Sequence, residues 1–137
     1  MILTLEEKST LKSSFALLHA EDINIATCFY DNLFELAPLI EPLFKSERNN
    51  IENHFYELIR TAVNKVEHFE DLRPMLLALG KRHCAYGAKA AHFNIVKTAF
   101  ILSIQYVLKG QCTAAMEQAW SKYIDNISQV MIEGIES

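Results

Sequence analysis

Glycine and proline are scarce, at four and three residues in a chain of 137. An all-β domain needs frequent turns that draw on both, so the shortage points to helices joined by short links. Cysteine is scarce as well. Cys28, Cys84 and Cys112 are odd in number and share no CxxC spacing, which argues against a disulfide framework or a cysteine zinc site. Three free thiols in a reducing compartment is the plain expectation. Basic residues are outnumbered, 13 against 17 acidic, for a formal charge of −4. A nucleic-acid partner, which calls for a basic face, is not expected. Long apolar runs are missing too. The uncharged stretch Thr98 to Leu108 falls short of the roughly 20 apolar residues that span a bilayer. The start, Met1 to Glu7, has no basic segment ahead of an apolar core, so neither a signal peptide nor a membrane association is expected, and the location expected is cytoplasmic.

What the chain does have is apolar bulk. Half its residues are hydrophobic, including eight Phe and five Tyr. That suffices for a sizeable core in one compact domain spanning residues 1–137.

The apolar residues recur at helical spacing. Thr4 and Glu7 form a capping-box pattern ahead of Leu11, Phe15 and Leu18. Asp22 or Asn24 can cap a second helix carrying Ala26, Tyr30, Leu33 and Phe34, which should fail before Pro38. After a turn-like piece ending at Leu43-Phe44 and a polar loop, Asn49 or Asn50 is placed to cap a helix. Its stripe is Ile51, Phe55, Leu58, Ile59, Ala62, Val63 and Val66. A polar break near Glu67 to Asp71 precedes a helix through Leu72, Leu76, Leu79 and His83, ended by Tyr86-Gly87. A long helix from about Ala91 to Lys109 should stop at Gly110, and Thr113 can cap the last one, with Trp120, Tyr123 and Val130 inward. Seven or so helices make an all-α domain. Periodicity alone goes no further.

One segment is more specific: Leu79-Gly80-Lys81-Arg82-His83-Cys84-Ala85-Tyr86-Gly87-Ala88-Lys89. It resembles the helix and corner around the proximal histidine of globins, in particular single-domain bacterial haemoglobins, flavohaemoglobins and neuroglobin. Phe29-Tyr30, Leu33-Phe34, Pro38 and Leu43-Phe44 are similar to those families' second helix and following corner. Ala119-Trp120, Tyr123 and Val130-Met131 are similar to their final helix.

The resemblance implies a globin fold around a crevice for haem b (iron protoporphyrin IX), with His83 as proximal ligand and a reversibly bound O₂, NO or CO. It also implies that Phe44 stacks on the haem edge. The second ring nitrogen of a ligating His83 needs an acceptor that fixes its tautomer, and the carbonyl of Leu79, one turn earlier, is the candidate. Phe93, Val96 and Ala88 then line the proximal side beside Tyr86. Cys84 is expected to be a buried small hydrophobe. His92, Arg82 and Lys89 are weaker candidates for a propionate contact, whereas His19 and His68 read as solvated or boundary residues.

The distal side departs from the family's pattern. Aligned without gaps, the usual distal-ligand position falls on Ile51, with Phe55 one turn on. Neither can hydrogen-bond a gas. The polar groups nearby are Tyr30 and His54. His54 would be the distal residue only if the chain carried a short deletion before His83. Otherwise it is a solvated edge residue, a second axial ligand giving a six-coordinate haem, or a hydrogen-bond donor to the ligand. Tyr30 is either that donor or a core tyrosine bonded to a backbone carbonyl. Three roles follow from the resemblance: gas binding, NO dioxygenation with an external reductase, or a redox or gas-sensing module. The Tyr and Glu with which flavohaemoglobins polarise the proximal side match Phe93 and Ile135 here, so that device is not expected.

Overall fold

The computed structural model describes residues 2–137, and their regular structure is helical, with no strand. Helix α1 (Leu5–Ala20) opens on the capping box: Glu7 N donates to Thr4 Oγ1 at 3.0 Å and Thr4 N to Glu7 Oε1 at 2.8 Å. Helix α2 (Ile25–Leu36) is capped by Asn24, whose Oδ1 accepts from Ala26 N at 2.8 Å, and it ends ahead of Pro38. A 3-10 segment, Pro38–Leu43, turns the chain into α3 (Arg48–Asn64).

Asn49 and Asn50 do not cap α3. The helix starts earlier, on Glu47, whose carbonyl takes Asn50 N and Ile51 N while its side chain caps nothing. The helix therefore begins two or three residues sooner than the asparagines would start it, with the side chain of its first residue, Arg48, anchored on α2. The polar break after α3 is itself wound, as a 3-10 run over Val66–Leu72 with His68 off helical dihedrals. Helices α4 (Arg73–Ala85), α5 (His92–Leu108) and α6 (Ala114–Glu136) follow. Helix α5 stops at Lys109, which takes φ +51°, rather than at Gly110; Lys109–Gln111 then form a 3-10 turn. Thr113 Oγ1 caps α6 by accepting from Met116 N at 3.1 Å.

Helices pair as α4 with α6, α2 with α5 and α1 with α6. At the first contact Gly80 and Gly134 let the two backbones touch. At the second, Asn32 Nδ2 donates to Ser103 Oγ at 2.9 Å. At the third, Trp120 Nε1 donates to Ser14 Oγ at 2.8 Å, both groups fully buried. Phe100, Trp120 and Tyr123 form the centre of the core. Helix α3 rests on α2 and α1, and it makes almost no contact with α4. The two helices therefore diverge from the 3-10 run that joins them.

Candidate functional site

The last turn of α4 carries His83, half-buried. Its Nδ1 lies 2.8 Å from the carbonyl oxygen of Leu79. A carbonyl can only accept, so Nδ1 carries the proton and Nε2 keeps its lone pair. Burial, the dominant influence, lowers the His83 pKa, and Arg82 adds to the effect, while the Leu79 bond opposes it. Burial thus favours the neutral form of the ring.

The backbone around it is fixed just as firmly. Ala88 N donates to His83 O at 2.9 Å and Gly87 N to Cys84 O at 3.0 Å, with Gly87 at φ +94°. This double closure across a left-handed residue satisfies the helix's last carbonyls and ties Ala88 to His83. Gly87 also lies against Leu43, whose side-chain carbon would stand 3.3 Å from a Cβ there. The corner after α4 and the corner after α2 therefore meet.

The other site candidates fall into groups. Tyr30, Phe44 and Phe55 share one aromatic cluster: the Tyr30 ring meets Phe44 edge-on at 5.5 Å and Phe55 at 5.7 Å, while Phe55 stacks on Phe29 at 4.1 Å. Ile51 and Phe55 on α3, Leu79 on α4, and Phe93 and Val96 on α5 pack against the core yet stay partly exposed. Tyr86 sets its ring edge-on 6.1 Å from His83 but is 55% exposed. His54 is exposed on α3. Cys84 is exposed as well, correcting the expectation of burial. Helix α4 buries Leu76 and Gly80 against the core; Cys84 lies only ~40° from Gly80 around the helix but in its last turn, beyond that buried pair. His92 is half-buried, its Nδ1 accepting from Lys89 N at 3.1 Å. His19 is exposed and paired with Tyr56.

Tyr30 is 6% exposed, and burial pushes its phenol well above the ordinary range, with the nearby Glu52 carboxylate adding to the rise. Among the described residues no hydrogen bond uses its hydroxyl. The tyrosine bonded to a backbone carbonyl is Tyr123, which donates to Ala62 O.

Sequence reasoning missed one group. Arg48 Nε donates to Glu52 Oε2 at 2.6 Å, and its Nη2 donates to Asp31 Oδ1 at 2.7 Å and Thr27 O at 3.0 Å. Thr27 Oγ1 donates to Glu52 Oε1 at 2.6 Å. The guanidinium carbon lies 5.8 Å from the Tyr30 ring centre and 5.5 Å from that of Phe34. The Arg48–Glu52 spacing was visible as an ordinary helical pair. Its attachment to α2 was not.

Among the described residues no group of three or more His, Cys, Asp or Glu could hold a bare metal ion, and no helix is long and apolar enough to cross a membrane. Comparison with known proteins adds the following. The family model described as Globin matches residues 27–131. Flavohemoprotein A of Dictyostelium discoideum is 27% identical over 134 residues, covering 97% of this chain and 34% of that protein. The chain spans about a third of the length of the curated relatives it matches. A bacterial globin from Campylobacter jejuni superposes with a TM-score of 0.85 at 21% identity, over 97% of this chain and 96% of that one. An engineered carbene transferase from Rhodothermus marinus gives 0.88 at 19% identity, over 98% and 94%.

Proposed function

The chain belongs to the globin family, and on that footing we propose that it holds haem b through His83 Nε2 and reversibly binds O₂, NO or CO on the opposite side. The observation that carries this reading is the setting of His83: its Nδ1 bonded to the Leu79 carbonyl, on a doubly closed helix end that leaves Nε2 as the free nitrogen. A histidine that ligates a metal commonly needs such an acceptor on its other nitrogen to fix orientation and raise basicity.

The apolar character of the candidate residues supports a flat apolar group. Phe44, Ile51, Phe55, Leu58, Leu79, Phe93 and Val96 are all incompletely buried. Covering a set of this kind favours binding by many kcal/mol at ~25 cal/mol per Å². Haem, when bound, would supply an iron with one position free for a small ligand. The chain's own residues would do the rest. Phe44 and Leu43 would close the crevice at the corner, the apolar flanks would exclude water, and Tyr30 would donate its O–H toward the gas. His54 is exposed, which favours an edge role and an open sixth position over axial ligation.

The likeness to a flavohaemoprotein favours a second reading, conversion of NO and O₂ with one electron to nitrate. It requires a reductase as electron source. Absorption spectra of protein made with ample haem supply, oxidised, reduced and under CO, test the main reading. Expected is a reduced five-coordinate spectrum that shifts with CO and is lost in His83→Ala. A colourless preparation overturns it. NO consumption with a supplied reductant decides the second reading.

A further inference from the structure

We propose that Arg48 is a positioning residue for Tyr30: with Thr27 it keeps the Glu52 carboxylate engaged, so that the Tyr30 O–H stays free to serve the crevice. The inference rests on the gas-binding reading and specifies how its distal donor is controlled.

Thr27, Tyr30 and Asp31 lie three and four residues apart on α2 and so share a face. Arg48 and Glu52 come from the first turns of α3 and meet that face. Both Glu52 oxygens are occupied at 2.6 Å, one by Arg48 Nε and one by Thr27 Oγ1, and the side chain is only 12% exposed. The second arm of the guanidinium is spent on Asp31 and the Thr27 carbonyl. The cation lies over the Tyr30 and Phe34 rings, and the charge of the carboxylate it holds is felt at the Tyr30 phenol. A shielded carboxylate that loses a charged donor takes the next donor within reach, because an unpaired charged acceptor costs more than a diverted neutral hydrogen bond. That donor is Tyr30. In this arrangement Arg48 touches neither gas nor haem, yet it decides where the phenol proton points.

The test is the O₂ dissociation rate and the C–O stretching frequency of the CO form in the parent and four variants. Arg48→Leu is expected to raise the rate on the order of tenfold, toward Tyr30→Phe, and to shift the stretch as loss of a distal donor does. Arg48→Lys, which keeps a cation there, stays within about threefold of the parent by the same arithmetic. Arg48→Leu with Glu52→Gln, which removes the charged acceptor, returns most of the way. A clamp that only stiffened α3 would not be rescued by that second change. Equal rates in Arg48→Leu and the double variant, or a parental rate in Arg48→Leu, overturn the proposal.

A haem-independent arm separates this outcome from failure of the gas-binding reading. Crystal structures of Arg48→Leu and of Arg48→Gln, the milder change should the first not fold, are expected to show Tyr30 Oη bonded to Glu52. A Tyr30 hydroxyl not bonded to Glu52 in these structures refutes the inference whether or not gas binds.

Discussion

A Cβ on Gly80 would stand 2.0 Å from the carbonyl oxygen of Met131. The backbones of α4 and α6 thus touch at the turn that leads to His83. Gly134 returns the contact, with a Cβ there 2.2 Å from Leu77 O. Neither neighbour is a flexible side-chain tip, so any substituent must push the helices apart. Gly80→Ala and Gly134→Ala are each expected to lose ~1–3 kcal/mol of stability in urea unfolding. Gly110→Ala, with nothing within 4 Å of its Cβ, should be near neutral and serves as the control. A Gly80→Ala protein as stable as its parent would contradict this packing.

Ser14 and Trp120 make a second such test. The indole N–H is fully buried and its acceptor is the Ser14 hydroxyl, which donates onward to Leu11 O. Ser14→Ala strands a buried donor at a cost of ~1–3 kcal/mol, read from the same unfolding curves. Little change in midpoint would show that the indole finds another partner.

How much of this was legible follows from which forces are local. Capping at Thr4, Asn24 and Thr113, the break before Pro38 and the closure at Gly87 depend on neighbours a few residues away, and the structure has each of them where the sequence placed it. The start of α3 was misread because Arg48 is held by Asp31, 17 residues earlier. The end of α5 was misread because Lys109, not Gly110, takes the positive dihedral. At the site, the bond from His83 to Leu79 is a one-turn relation and could be written down in advance. The Arg48–Glu52–Thr27 junction joins two helices through charges that look like surface residues in sequence, and only packing reveals it.

Acid stability should carry the signature of Glu7. The Thr4 backbone donor first, and the Lys122 ammonium second, hold its carboxyl below the ordinary 4.5. A group whose folded pKa is depressed stabilises the fold above its unfolded pKa and loses that contribution as pH falls through the folded value. The parent should therefore lose stability below about pH 4.5 more steeply than Glu7→Gln. Parallel acid limbs for the two proteins would rule the linkage out.

Tyr30→Phe removes the one polar group of the aromatic cluster formed with Phe29, Phe34, Phe44 and Phe55. No protein partner loses a bond, so stability should be kept or slightly raised. If the hydroxyl serves a gas in the crevice, O₂ should leave roughly tenfold faster, the equivalent of ~1–2 kcal/mol. Stopped-flow release into a scavenger measures it. An unaltered rate would confine Tyr30 to a packing role.

His54 provides the sharpest test of coordination. On α3 it is three residues from Ile51 and next to Phe55, which puts it ~60° from the first and ~100° from the second around the helix. Ile51 and Phe55 face the core, while His54 is exposed. Bringing its ring to the crevice would require α3 to roll. Arg48 and Glu52 resist that roll through three direct bonds to Thr27 and Asp31 on α2. The reduced protein should therefore show a five-coordinate high-spin spectrum, and His54→Ala should leave it unchanged. A low-spin spectrum in both oxidation states that His54→Ala abolishes would mean that the roll occurs, and that the clamp on α2 yields to iron.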